Sequence, residues 1–289
     1  MIRQLFRKLR TYRRKRFRSR AHDLIKMVEN AHLEIAQLRR ESDRRFTDLL
    51  TLLSQNKFFP KLEEVVLETE HPVAIHSLDH IHPRGTKNDN TRSRRFLRRC
   101  ELHFDRPLRF LDLGCSGGGL VLDFILAGHQ AVGLEGSDYS LINQRAEWPL
   151  LKNNLFTCDV THPFQLKDKV SQQSLKFDVI SCWEVLEHIP KNQLPQLFKN
   201  IREHLTDDGI FCASVATHHD TDEATGINWH ETIENKAWWH EFAKKNGFEL
   251  ADDVFVNKDF PRGSGNELYD SDYSQNQQNG FHLVVRKSR

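Results

Sequence analysis

The chain has 289 residues with a net charge of +2, enough for one α/β domain plus an appendage, and the charge is unevenly spread. Ten of the 42 Lys and Arg fall in residues 1–20, which carry no acid, leaving 32 bases against 40 acids for the rest, so the basic character belongs to a tail and not to a folded body. Five cysteines stand singly with no CxxC pair, and no apolar run approaches about 18 residues. A zinc or disulfide framework, a signal-peptide core and a membrane span are therefore excluded, which fits a cytoplasmic protein, at most peripheral to a membrane.

Residues 1–20 intersperse Leu5, Phe6, Leu9, Tyr12 and Phe17 among the basic residues. Such a segment suits an anionic membrane surface, can contact nucleic-acid phosphates less favourably here, or can stay a solvated tail. Residues 21–57 form the next unit. Over 21–55 apolar positions recur at alternating four and three through Leu24, Val28, Ala31, Ile35 and Leu38. After a polar break at Ser42 and Arg45 they resume at Leu49 and Leu52. This heptad seam predicts a coiled-coil-like helix that makes a homo-oligomer or, alternatively, an amphipathic helix packed on its own domain.

Residues 58–107 read as a leader. The segment is rich in His, Pro, Asn and Asp, and His71, His76, His80 and His82 with Asp79 invite a metal reading. None of them forms an i, i+4 pair with an acid of the HExxH kind, so no metal is expected. Arg92 to Arg99 predicts a basic helix flanking the sheet with a solvated charged face.

Residues 108–289 hold the main domain. Arg109 to Asp112 is a short apolar strand, followed by a turn with Gly114, Gly117, Gly118 and Gly119, a helix through Leu120 to Ile125, and a second strand ending at Glu135. Glycines let the backbone take positive φ and lie against a ligand, and the helix N-terminus presents free N–H groups. An acid about 20 residues past the turn is placed to accept hydrogen bonds from both ribose hydroxyls of a nucleoside.

This stretch resembles motif I and the acidic strand of the class I S-adenosylmethionine-dependent methyltransferases. Asp112, Gly114 and Gly118 match, and Ser116 stands where the middle glycine is usual. The resemblance implies a doubly wound, seven-stranded Rossmann-like α/β sheet with the N-terminal helix as an extension, S-adenosyl-L-methionine as cofactor, and a leader that folds over the cofactor as a lid. Asp112, Gly114, Ser116 and Gly118 would hold the cofactor, with Glu135, Gly136 and Ser137 after the second strand.

A helix at Tyr139 to Trp148 leads to a third strand, Leu155 to Cys158. There the family's pattern gives Asp159 the adenine amino group and Val160 a backbone contact to the ring. The fourth strand, Phe177 to Cys182, is nearly all apolar, as a strand buried on both faces should be. It runs into Trp183-Glu184-Val185-Leu186-Glu187-His188-Ile189-Pro190, which resembles the ExxEHxP signature of ubiquinone-type and sugar-modifying O-methyltransferases. Nicotinamide dehydrogenases have no reason to carry it. Trp183 joins the cofactor set by position.

Later elements are a helix from Gln193 to Leu205, a fifth strand Ile210 to Ala216, a polar loop with His218, His219 and His230, and a helix Asn235 to Lys245. The terminal antiparallel pair, Phe248 to Val256 and Gly280 to Lys287, brackets a polar insertion whose turn at Arg262 could contact an anionic or hydroxyl-rich acceptor. If the acceptor is a hydroxyl, a base is needed, and histidine titrates in the right range. His188 matches the family's candidate base by position, and His219 and His230 follow. Three readings result: O-methylation of a sugar or glycan, O-methylation of a quinone or small phenol, and a coiled-coil scaffold with a domain that has lost catalysis.

Overall fold

The computed structural model describes residues 64–288 apart from 224 and 267–269, together with scattered helical positions between residues 25 and 47. Residues 1–49 and 50–289 are separate compact units. The basic tail at 1–20 and the seam positions Leu24, Leu49 and Leu52 lie outside the described residues. Val28, Ile35 and Leu38 are helical and exposed, so the seam they belong to presents apolar side chains to solvent. Among the described residues no helix is long and apolar enough to cross a membrane.

The second unit opens with β1 (Val65–Thr69), two single-turn helices α1 (Leu78–Ile81) and α2 (Gly85–Asn88), and α3 (Arg94–Phe104). Then come β2 (Arg109–Leu113), α4 (Gly119–Leu126), β3 (Gln130–Glu135), α5 (Tyr139–Ile142), β4 (Leu155–Thr157), β5 (Phe164–Asp168) and β6 (Phe177–Trp183). The chain ends with α6 (Leu194–His204), β7 (Leu205–Ala216), α7 (Lys236–Lys245), β8 (Phe248–Leu250) and β9 (Gly280–Lys287).

Seven strands form one sheet in the order β4-β3-β2-β6-β7-β9-β8. The first five are parallel, and β9 runs antiparallel to both β7 and β8. This is the doubly wound α/β sheet expected from the sequence. From β2 the chain moves outward through β3 and β4, then returns to β6 on the other side of β2. The order therefore reverses between β2 and β6, and the crevice beyond their carboxyl ends is where such sheets bind ligands.

Alternation sorts the strands into two cores, one on each face of the sheet. Leu111 and Leu113 face the layer of α6 and α7, where Leu194, Leu197, Phe198 and Ile201 repeat at helical spacing and are buried. Phe110 faces the opposite layer and stacks on Phe124 of α4, ring centroids 3.9 Å apart, with Phe96 of α3 edge-on to both and to Trp183. The five cysteines are all buried in these layers, and burial raises the thiols, Cys158 to about 12.

Several elements differ from the sequence reading. The helix after Glu135 stops at Ile142, because Gln144 and Ala146 take left-handed φ of 47° and 49°. The fifth sheet strand begins at Leu205, which pairs with Phe177, and not at Ile210; the register to β6 shifts between these two positions. β8 ends at Leu250 and not at Val256. β1 pairs antiparallel with β5 in a separate two-stranded ribbon, fastened by Lys167 to Glu68 (2.6 Å) and Lys169 to Glu64 (2.7 Å). The basic residues of α3 and its approach are not merely solvated: Arg92 binds buried Asp123, and Arg95 and Arg99 reach Asp259.

The leader is bolted to the glycine turn. Asn90 Oδ1 accepts the Gly119 N–H at the start of α4 (2.9 Å), and its Nδ2 donates to Glu147, which is fully buried (2.8 Å). A side chain at Gly117 or Gly119 would collide with Asn90. Asn90→Ala should cost about 1–2 kcal/mol, from the lost cap and the weakened pairing of a buried carboxylate. Calorimetric melting of the variant checks this through a drop of a few degrees in Tm.

Candidate active site

Beyond the carboxyl ends of β2, β3, β4 and β6 lies a cavity of about 460 Å³, to whose wall residues between 74 and 89 of the leader contribute. That volume lies in the range of small-molecule sites. Its floor at one end is the turn after β2. Gly114 has φ +76°, and a Cβ there would sit 2.5 Å from a Val185 methyl, so the backbone must stay bare. Ser116 takes a left-handed φ of 48°, an uncommon conformation that is held from several sides. Its N–H donates to Glu135 Oε2 (2.7 Å), its Oγ lies 2.8 Å from the Asp89 carbonyl, and Arg145 Nη2 reaches the same hydroxyl (2.8 Å).

Glu135, at the tip of β3, is buried, and burial raises its pKa. The Ser116 and Ser137 N–H groups and the Thr86 hydroxyl point at its two oxygens and fix the carboxylate plane toward the cavity. At the β4 end stand Asp159 and Val160. Asp159 already accepts from the Thr161 N–H (3.0 Å) and hydroxyl (2.6 Å) and lies 3.1 Å from His162 Nδ1. His162 stacks on His71 from the leader at 3.8 Å between ring centroids. Cavity, bare glycine turn and acid thus fit a nucleoside with an extended substituent.

Of the residues singled out from sequence, Gly114, Ser116, Glu135, Gly136, Ser137, Asp159, Val160 and Trp183 all line this cavity. Asp112 and Gly118 do not. The Asp112 carboxylate is turned into the sheet, where it accepts the Ser181 hydroxyl (2.6 Å), and desolvation by burial, with Glu135 adding repulsion, raises its pKa to about 7. Gly118 starts α4 with φ +86° and packs on Leu155, so its role is in shaping the turn.

The second half of the cavity lies past Trp183 and Glu184. Glu184 holds φ +54° while its N–H meets Ser214. The next residues make a 3-10 turn, Leu186–His188, that buries Glu187 and presents His188 to the cavity. Glu187 Oε1 accepts the Ala216 N–H (3.1 Å), and its carbonyl accepts the Glu231 and Thr232 N–H groups, which draws the loop carrying His230 against the turn. His188 Nδ1 lies 2.9 Å from Asp79 Oδ2 of α1. Burial opposes charge on the ring, but the Asp79 carboxylate, with Glu187 and Glu184 behind it, outweighs burial and raises His188 to about 9. Burial beside Glu184 pushes the Glu187 carboxyl up to about 8.

His230 is 5.0 Å from His188 between ring centroids; its Nδ1 meets the His218 carbonyl, and burial lowers its pKa. His219 is a correction: it is exposed, outside the cavity, with Nδ1 3.5 Å from Asn228, so the order of bases becomes His188 and then His230. Glu187, His188 and His230 each bring one donor atom within 4.8 Å of the others, a spacing that could hold a metal ion. Sequence spacing directed the metal question to His71–His82, whereas this cluster is assembled from two distant loops.

Among the cavity residues that sequence reasoning did not assign to the site are Asp79, Arg84 and Glu231. Asp79 comes from the leader. Arg84 lies over the Trp229 ring at 4.2 Å and clasps Asp220, whose pKa this contact lowers. Glu231 arrives through its backbone bond to Glu187. Nothing in the chain's local pattern marks them for this cavity, because each is brought to it by tertiary contacts of a segment outside the sheet.

The fold and this site define a doubly wound nucleoside-binding domain with a histidine-bearing chamber beside it. Residues 86–251 match the family described as methyltransferase domain, and the chain belongs to that family. Two curated relatives, both named ubiquinone biosynthesis O-methyltransferase, are 34% identical: one from Glaesserella parasuis over 113 residues and one from Pelagibacter ubique over 110. Each match takes in 37% of this chain and 44% or 42% of the relative, so the chain spans under half the length of the curated relatives it matches. A solved S-adenosylmethionine-dependent methyltransferase from Clostridium acetobutylicum is 13% identical with a TM-score of 0.46, covering 67% of this chain and 90% of that one.

Proposed function

We propose that the chain transfers a methyl group from S-adenosylmethionine to a hydroxyl of a sugar or glycan, with His188 as general base. The carrying observation is the His188–Asp79 pair on the wall of a chamber next to the glycine turn and Glu135. When bound, S-adenosylmethionine supplies a sulfonium methyl for in-line displacement. Glu135 holds the ribose hydroxyls, Asp159 and Val160 flank the base, and the bare backbone at Gly114 and Ser116 takes the amino-acid end. His188, oriented through Nδ1 by Asp79, takes the acceptor proton on its other nitrogen. Leader residues 74–89 exclude water, which keeps a reactive methyl from hydrolysis.

Around His188 the cavity is lined by Asp79, Arg84, Asp220, His230 and Glu231, with Val185, Ile189 and Pro190 as its apolar part. A polyhydroxylated acceptor can pair the polar groups, whereas an apolar prenylated ring would desolvate them without return. The second reading, a quinone or small phenol, is favoured by the names of the two curated relatives. Incubating the protein with methyl-labelled cofactor and either an oligosaccharide pool or a panel of catechols distinguishes them. Label in the saccharide fraction is expected. Label confined to the catechols would favour the second reading, and none anywhere would favour the scaffold.

Self-association through residues 21–55 is part of the proposal. A triple replacement of the exposed seam residues Val28, Ile35 and Leu38 by Glu should reduce the particle to single chains in light scattering while cofactor binding persists. An unchanged mass would assign the helix to packing within its own chain.

A further inference from the structure

Residues 257–280 are a long polar insertion by sequence, yet their described parts are tightly built. The N–H groups of Gly263, Ser264 and Gly265 all point at the Asp270 carboxylate (2.6, 3.0 and 3.0 Å). Lys258 and Asn257 bind Asp272, and Tyr273 is buried against Gly263 and Gly280. His282 of β9 meets the Arg262 carbonyl at 2.8 Å, which anchors the turn to the sheet. The product of this construction is one side chain on the cavity wall, that of Arg262.

We infer that Arg262 recognises the carboxylate at the amino-acid end of the methyl donor, an inference that rests on the methyl-donor reading above. Glu135 marks the ribose position in that reading, so the amino-acid end lies toward Gly114, Ser116 and Glu184, and Arg262 is the arginine whose ion pair among the described residues, Asp89 Oδ2 at 3.6 Å, also belongs to that end. That distance is beyond hydrogen-bond reach, which leaves the planar fork to meet a carboxylate. Arg84, by contrast, is already clasped to Asp220 on the acceptor side.

Beside Arg262 the complementary charge is also present. Glu184 Oε2 accepts the hydroxyl of Tyr273 (2.8 Å), a residue of the same insertion, while its Oε1 is buried with no hydrogen-bond partner among the described residues. A guanidinium and a carboxylate oxygen, each with bonding capacity left, suit a zwitterion, and an α-amino acid head is one. A neutral sugar hydroxyl calls for neither charge.

The test is calorimetric titration of the full chain with S-adenosylmethionine and with its decarboxylated analogue. The wild type should bind the analogue on the order of 10–100-fold more weakly. Arg262→Gln should weaken S-adenosylmethionine by that factor and leave the analogue within about twofold, and Arg262→Lys should fall between. Equal binding of both compounds by the wild type, or an equal loss for both in Arg262→Gln, would overturn the inference. So would an unchanged donor affinity with a raised acceptor KM, which would place the carboxylate on the acceptor. A wild type that binds neither compound would overturn the methyl-donor reading, and this inference with it.

Discussion

Replacing His188 with alanine is expected to slow methyl transfer by about 10²–10⁴-fold, the usual worth of a positioned base, with cofactor affinity nearly unchanged. His188 lines the chamber past Glu184, whereas Glu135, the proposed ribose acid, lies at the end of β3. The pH dependence sharpens this. The ring must be neutral to take a proton, and Asp79, Glu187 and Glu184 favour its charged form up to about 9. His230 and Asp220 complete the charges around it. The wild-type rate should therefore rise with pH toward about 9 and not level off near the ordinary histidine range. Asp79→Asn removes the largest favourable contact, so the rising limb should move to lower pH while the maximal rate falls. Loss of melting temperature with no loss of rate in His188→Ala would make the histidine a structural cap, and His230 would be tested next.

The second large effect is expected at Glu135. Glu135→Ala should weaken S-adenosylmethionine binding by about 1.5–3 kcal/mol, the range for hydrogen bonds to a charged group. Two losses combine: the acceptor for the ribose hydroxyls, and the anchor for the Ser116 N–H that holds a left-handed serine in the turn. Glu135→Gln should recover only part, because an amide NH₂ set against the Ser116 or Ser137 N–H would have to turn away. Equilibrium dialysis with labelled cofactor measures both; an affinity within about twofold of wild type would show that the ribose is not held there.

How far the sequence led is clear from particular residues. Strand ends that line the cavity were legible where a short apolar run meets a glycine turn or an acid, as at Gly114 and Glu135, because those positions need residue types that local physics restricts. The Glu184 to Pro190 run was legible through family resemblance, and the structure adds why its parts differ: Glu187 faces inward to hold the His230 loop, while His188 faces the cavity. The orientation of Asp112 was not legible, because motif membership says nothing about which way a strand side chain points; Ser181 on the neighbouring strand draws it into the sheet. Asp79, Arg84 and Arg262 were not assigned to a cofactor or proton, since a loop's path over a sheet depends on tertiary bonds such as Asn90 to Gly119. The β1–β5 ribbon escaped for the same reason: two five-residue strands nearly 100 residues apart leave no local pattern of pairing.

We propose that this cavity takes S-adenosylmethionine with its ribose on Glu135, a reading that predicts no binding of NAD. Parallel calorimetric titrations of the full chain with S-adenosylmethionine and with NAD test it most directly. Saturable binding of S-adenosylmethionine, weakened in Glu135→Ala, together with no detectable heat from NAD, is the predicted result; tight NAD binding without binding of the methyl donor would contradict it.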